Sequence, residues 1–193
     1  DATSNFCYSS STPSMKPPMT YAEWSNCLDR LIDGTLQTSD LPILDSGKIE
    51  WSKGSAERFA SRFADAYDKV LKQCASRLQK NLSLGSNNEF DIVKSLTVAR
   101  RTLTFLFQIS LLKPVPKDLR KYLQETVDKY ANQAQSSLEQ SAKSDRSGRL
   151  VSLLKNNSLL NFNKEAVALP TDSSINNDAE KAGNLKPQKK ILL

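Results

Sequence analysis

The side chains with the clearest capacity for chemistry in this chain are Lys94, Arg100 and Arg101. They interrupt its most continuously apolar stretch, residues 91–112, which reads DIVKSLTVARRTLTFLFQISLL. On a helix of about 3.6 residues per turn, Lys94 and Arg101 share one polar side and Arg100 stands beside them. A guanidinium is a planar fork of donors that meets a phosphate or a carboxylate with two parallel hydrogen bonds. These three are the candidate partner-binding or phosphate-binding residues. The competing reading is that they lay their stems on apolar surface and reach solvent, or pair with acids such as Glu125 or Asp128.

Other chemistry is thinly represented. There is no histidine among the 193 residues, which removes Ser-His-Asp and Cys-His catalysis, histidine metal sites and histidine pH switches together. Asp65 and Asp68 stand three apart on a helical pattern, but a ferritin-like site needs Glu-x-x-His, so they read as a solvated face. Tyr67 and Tyr130 fall on apolar stripes and read as core residues with a bonded hydroxyl. The three cysteines, Cys7, Cys27 and Cys74, are too far apart for CxxC chemistry. Cys27 and Cys74 read as small apolar core residues. No GxGxxG, GxxxxGK[ST] or GxSxG motif occurs. No catalytic, cofactor-binding or metal-binding residue is assigned, and the chain is not expected to be an enzyme.

The elements that must position Lys94, Arg100 and Arg101 are helical by pattern. Six glycines in 193 residues and few β-branched runs favour helices over sheet. Thr20-Tyr21-Ala22-Glu23 is a capping box, followed by Trp24, Cys27, Leu28, Leu31 and Ile32 at helical spacing and by Gly34 as a stop. Residues 55–82 carry Phe59, Phe63, Tyr67, Val70, Leu71, Cys74, Leu78 and Leu82 in steps of three and four, a sustained amphipathic stripe. The third helix is the 91–112 stretch, capped by Asn87 or Asn88. Its stripe is Ile92, Leu96, Ala99, Leu103, Leu106 and Ile109, widened by Val93, Phe105, Phe107, Leu111 and Leu112. Pro114 and Pro116 then turn the chain. A fourth helix starts at Pro116 or Lys117, with Asp118 at its positive end. Its stripe is Leu119, Tyr122, Leu123, Val127, Tyr130, Ala134 and Leu138. The stripe thins after Ala131, so its last turns are expected to project beyond the core. Leu150, Val151, Leu153 and Leu154 suggest a short fifth helix, and Leu159, Leu160 and Phe162 a further anchor. In the long connection 35–54, Leu41, Ile43 and Leu44 are expected to reach the core, and Lys48-Ile49-Glu50-Trp51 could be extended.

The fold expected is therefore all-α: a bundle of four main helices plus a short fifth over residues 20–162. An extended Ser/Thr/Pro-rich arm occupies residues 1–19 and a flexible polar tail residues 163–193. Adjacent helices should pack antiparallel where connections are short. No run approaches an uncharged membrane span.

The formal net charge is +6, and its distribution decides more than its sum. Residues 1–54 hold four cations and seven carboxylates, residues 55–82 six and three, and residues 83–116 four and two. The basic excess thus lies in the middle of the chain, around the candidate residues. A helical bundle with an Arg pair, here Arg100-Arg101, on an inner helix resembles rod-shaped plant-virus coat proteins. That resemblance, which rests on the pair and the helix order, implies arginines that face RNA. The functional expectation is a non-enzymatic structural or interaction subunit of a larger protein assembly. Its partners would be other protein subunits, including further copies of the same chain. The alternatives are a nucleic-acid-associated, coat-like packaging protein and a secreted helical effector or envelope component. An intracellular location is expected ahead of a mature secreted chain.

Overall fold

The structure, a computed structural model, describes residues 20–45, 54–83 and 88–165. Its elements are α1 (Tyr21–Asp33), a 3-10 turn (Thr38–Asp40), α2 (Leu41–Asp45), α3 (Ser55–Ser83), α4 (Glu89–Ser110), α5 (Lys117–Ala142), α6 (Arg149–Asn156) and a final 3-10 turn (Leu159–Asn161). The fold is all-α, and no strand occurs among the described residues. The expected arm 1–19, the extended piece 48–51 and most of the tail lie outside the described residues.

The start of α1 follows its sequence signature. The Glu23 amide donates to Thr20 Oγ1 at 3.3 Å, and the Thr20 amide donates to Glu23 Oε2 at 2.6 Å. Two amides that helix geometry leaves without partners are thereby satisfied. Gly34 ends the helix at φ 75°, a left-handed conformation that glycine adopts without a Cβ clash. The amides of Thr35 and Leu36 then donate back to the Arg30 carbonyl. Arg30 reaches Asp40 at 2.9 Å, and Asp40 also accepts the Gln37 amide at 2.8 Å. These bonds coil the start of the connection into the 3-10 turn and α2, helical structure that periodicity does not reveal. Leu36, Leu41 and Leu44 are buried, whereas Ile43, expected in the core, is 54% exposed. The helical turn puts Leu41 and Leu44, three apart, on the inner side and Ile43 on the outer.

Aromatic rings join α1 to α3. Trp24 lies 5.6 Å from Phe59 and 5.7 Å from Phe63, centroid to centroid, and Phe63 continues the row to Tyr67 at 6.1 Å. Edge and tilted ring pairs of this kind add to the gain from area burial. Arg62 reinforces the join, bonding Asp29 and Ser25 on α1. α3 and α4 run antiparallel. Near one end Asn81 donates to Ser95 at 3.0 Å, and near the other the Tyr67 hydroxyl donates to the Leu106 carbonyl. Tyr67 is fully buried, and burial holds its hydroxyl well above the ordinary phenol range.

Asn88 caps α4 by accepting the Phe90 amide at 3.1 Å. Leu96, Ala99, Leu103, Leu106 and Ile109 are buried, while Ile92 is only half-buried. Pro116 occupies the cap of α5, which needs no side-chain bond there. Arg120 reaches back to the carbonyls of Leu112 and Val115 in the connecting loop, at 3.3 and 3.5 Å. Leu119, Leu123 and Val127 are buried, but Tyr122, expected on the inner stripe, is 54% exposed. The inner stripe follows i, i+4 steps and leaves position 122 at its edge.

The end of α5 does not project. Ala131, Gln135 and Ala142 are buried because α6 and the final 3-10 turn pack on that half of the helix. Gln135 turns this into a specific joint. Its Oε1 accepts the Leu159 amide at 2.9 Å, and its Nε2 donates to Glu139 at 2.7 Å. Leu154, Leu159 and Phe162 are buried, while Val151 and Leu160 face outward.

Candidate partner-binding groove

Lys94 and Arg101 stand two turns apart on the outer side of α4, about 10 Å along the axis. Both are exposed, and Arg100, one step round the helix, is half-buried. The structure brings all three to one groove of about 1220 Å³, formed by the end of α1, the second half of α3 and the length of α4. Arg100 donates to Thr97 Oγ1 at 3.3 Å, which holds its guanidinium along α4. Neither Lys94 nor Arg101 forms an ion pair among the described residues. The acids considered for them are engaged elsewhere: Glu125 with Lys121 at 3.9 Å and Asp128 with Lys164 at 2.6 Å.

A fourth cation, Arg77, does not stand out in the sequence. It projects from α3 into the same groove, exposed and without an ion pair among the described residues. The signal was its place between Cys74 and Leu78, at the edge of the buried stripe. Once α4 packs antiparallel on α3, that edge faces α4. Among the described residues, four cations therefore share the groove with a single carboxylate, Asp91.

Apolar surface lies between these charges. Val98 is 44% exposed and Phe105 is half-buried, so along α4 the order Lys94, Val98, Arg101, Phe105 alternates basic and apolar at steps of four, three and four. Phe90 extends the line by one turn and is 70% exposed. The groove can thus offer charge and apolar contact to one elongated occupant.

One thiol lies in the groove among the described residues. Cys74 lies at its floor, and burial pushes its thiol upward, against the smaller opposing effects of the neighbouring Tyr130 hydroxyl and the Arg77 charge. A protonated, buried thiol is a poor nucleophile. Burial likewise raises Tyr130. Asp65 and Asp68 are exposed, with Asp68 paired to Lys72 at 2.6 Å. No group of three or more metal-ligating side chains occurs among the described residues. Cys27 is half-buried and, like Cys74, a free thiol. No helix among the described residues is long and apolar enough to cross a membrane.

A second, smaller cleft of about 320 Å³ lies between α4 and α6. Its main charges are matched internally, since Arg149 pairs with Glu89 at 2.6 Å. Compared with protein-family models, curated proteins and solved structures, the chain matches none.

Proposed function

We propose that this protein is a non-enzymatic interaction subunit of a larger protein assembly, and that the groove across α1, α3 and α4 is the face that receives its partner. The observation that carries the reading is the set of cations Arg77, Lys94 and Arg101, gathered round exposed apolar surface without ion pairs among the described residues. Charges held apart from internal partners remain available to an external one, and they orient a partner even where they add little net affinity. Capture of the full chain from its native source, with the stoichiometry of what comes with it, tests this. The double variant Lys94→Glu, Arg101→Glu should lose the captured protein at least ten-fold. A chain that purifies as a monomer with no partner sinks the reading.

The second reading is nucleic-acid association, favoured by the excess of cations over carboxylates in one groove. It requires affinity for RNA or DNA that falls steeply with salt and drops on Arg100→Ala or Arg101→Ala. Binding that is undetectable, or indifferent to salt, removes it.

A further inference from the structure

The last described residues of the chain lead to the rim of the groove. The Asn163 amide donates to Thr104 Oγ1 on α4 at 3.1 Å, and Asn163 and Thr104 both line the groove. Lys164 fixes the exit: it pairs with Asp128 at 2.6 Å and lies 5.8 and 5.2 Å from the ring centroids of Phe107 and Phe162. Beyond Lys164 the chain has a segregated composition. Residues 165–180 contain four carboxylates (Glu165, Asp172, Asp178 and Glu180) and no cation, with Val167, Leu169 and Ile175 among them. Residues 181–193 contain four lysines and no carboxylate. The acidic part is therefore the part that follows the rim residue Asn163 most closely in the sequence.

We propose that residues 166–180 of this chain are the groove's own occupant, docked in cis, and that an external partner binds by displacing them. This rests on the reading of the groove as the partner-binding face. Charge complementarity carries the assignment: residues 166–180 hold three carboxylates and no cation, and the groove presents Arg77, Lys94, Arg100 and Arg101. Its aliphatic side chains suit the surface around Val98 and Phe105, which a phosphate backbone would leave uncovered. Reach is not limiting, since fifteen residues extend to about 50 Å at most. Tethering favours the same chain over a second copy, because a short linker holds a segment at an effective concentration of order millimolar.

The test uses a fluorescent peptide of residues 165–180 as the probe, on the full chain and on a chain ending at Glu165. The shortened chain keeps every core residue of the described fold, the last being Phe162. The peptide should bind the shortened chain at least ten-fold more tightly than the full chain. That binding should weaken as salt rises and fall at least ten-fold with Lys94→Glu plus Arg101→Glu, both exposed positions. Equal binding to the two chains, or none to the shortened one, overturns the proposal. Should the shortened chain fail to fold, the full chain carrying Asp172→Lys and Asp178→Lys replaces it, and it must bind the peptide as an opened groove would. A single-stranded RNA probe that binds the full and shortened chains equally well also overturns the proposal, as does a full chain that dimerises through this segment. If the peptide fails while Lys94→Glu, Arg101→Glu still releases the captured partner, the cis occupant falls and the partner-binding reading stands. If the partner stays on that double variant, the partner-binding reading falls whatever the peptide does.

Discussion

Trp24 makes a large contribution and carries a local cost. Its ring is 1% exposed against Phe59 and Phe63, yet its indole Nε1 has no hydrogen-bond partner among the described residues. Trp24→Ala should destabilise by about 3–5 kcal/mol through lost packing and a residual cavity. Trp24→Phe also loses volume, but it removes an unpaired N–H whose burial costs about 1–3 kcal/mol. Its loss should be clearly the smaller in urea denaturation, and equal losses would mean the N–H is satisfied. Asp145 acts through hydrogen bonds. It accepts the Leu150 amide at 3.1 Å and the Ser147 hydroxyl and amide, and these hold its carboxyl below the ordinary value, the Leu150 bond most. A lowered carboxyl stabilises the fold fully above its unfolded value of about 3.9. That stabilisation is lost as pH falls through the lower folded value. Asp40, held low chiefly by the Gln37 amide, and Glu23, by the Thr20 amide, act in the same direction. Melting temperature should therefore fall on the acid side of pH 4, and Asp145→Asn should flatten part of that fall.

At the scale of the element, ends and joints decide more than interiors. Thr20→Ala removes the hydroxyl cap of α1 and should cost about 1 kcal/mol. Gln135→Ala should cost about 1–3 kcal/mol, because it strands the buried Leu159 amide. Gln135→Leu, which restores the volume but no acceptor, should not recover that loss; full recovery would assign the effect to packing rather than to the bond. Helix ends were legible in the sequence because their chemistry is local: Thr20 with Glu23, Gly34, Asn88 and Pro116 act within a few residues of themselves. The 3-10 turn and α2 were not, because they depend on Arg30 reaching ten positions ahead to Asp40. The end of α5 differs from its sequence expectation for a related reason. Ala131 and Gln135 look weakly apolar in isolation, and only the return of α6 and residues 159–162 covers them.

For the whole molecule, the all-α architecture could be read from periodicity, since stripes of three and four survive any arrangement of the helices. The candidate residues could be read as well, because Lys94, Arg100 and Arg101 stand out against an apolar stretch. Arg77 could not, since its membership of the groove is a property of how α3 and α4 pack. The exposure of Tyr122 and Ile43 is hidden from the sequence for the same reason, as an apolar residue near a stripe can fall on either side of its edge. Packing places Trp24 beside Phe59 and Phe63, and the last turn of α1 on the groove with Val70. Helices α1 and α3 thus point the same way, and the long connection between them makes that arrangement reachable.

The clasp between Asp45 and the loop after α4 bears on how the chain comes together. Asp45 accepts the Lys113 amide at 2.8 Å, a contact between residues 68 positions apart. Closing so wide a loop costs entropy that only later contacts can offset. The pairings of α4 with α5 and of α5 with α6 need far shorter closures and should form first, with α2 docking after the rate-limiting step. Asp45→Ala should then leave the folding limb of a chevron nearly unchanged while raising the unfolding rate. In the native protein, the same ordering makes release of α2 one of the lower-energy openings detectable by hydrogen exchange.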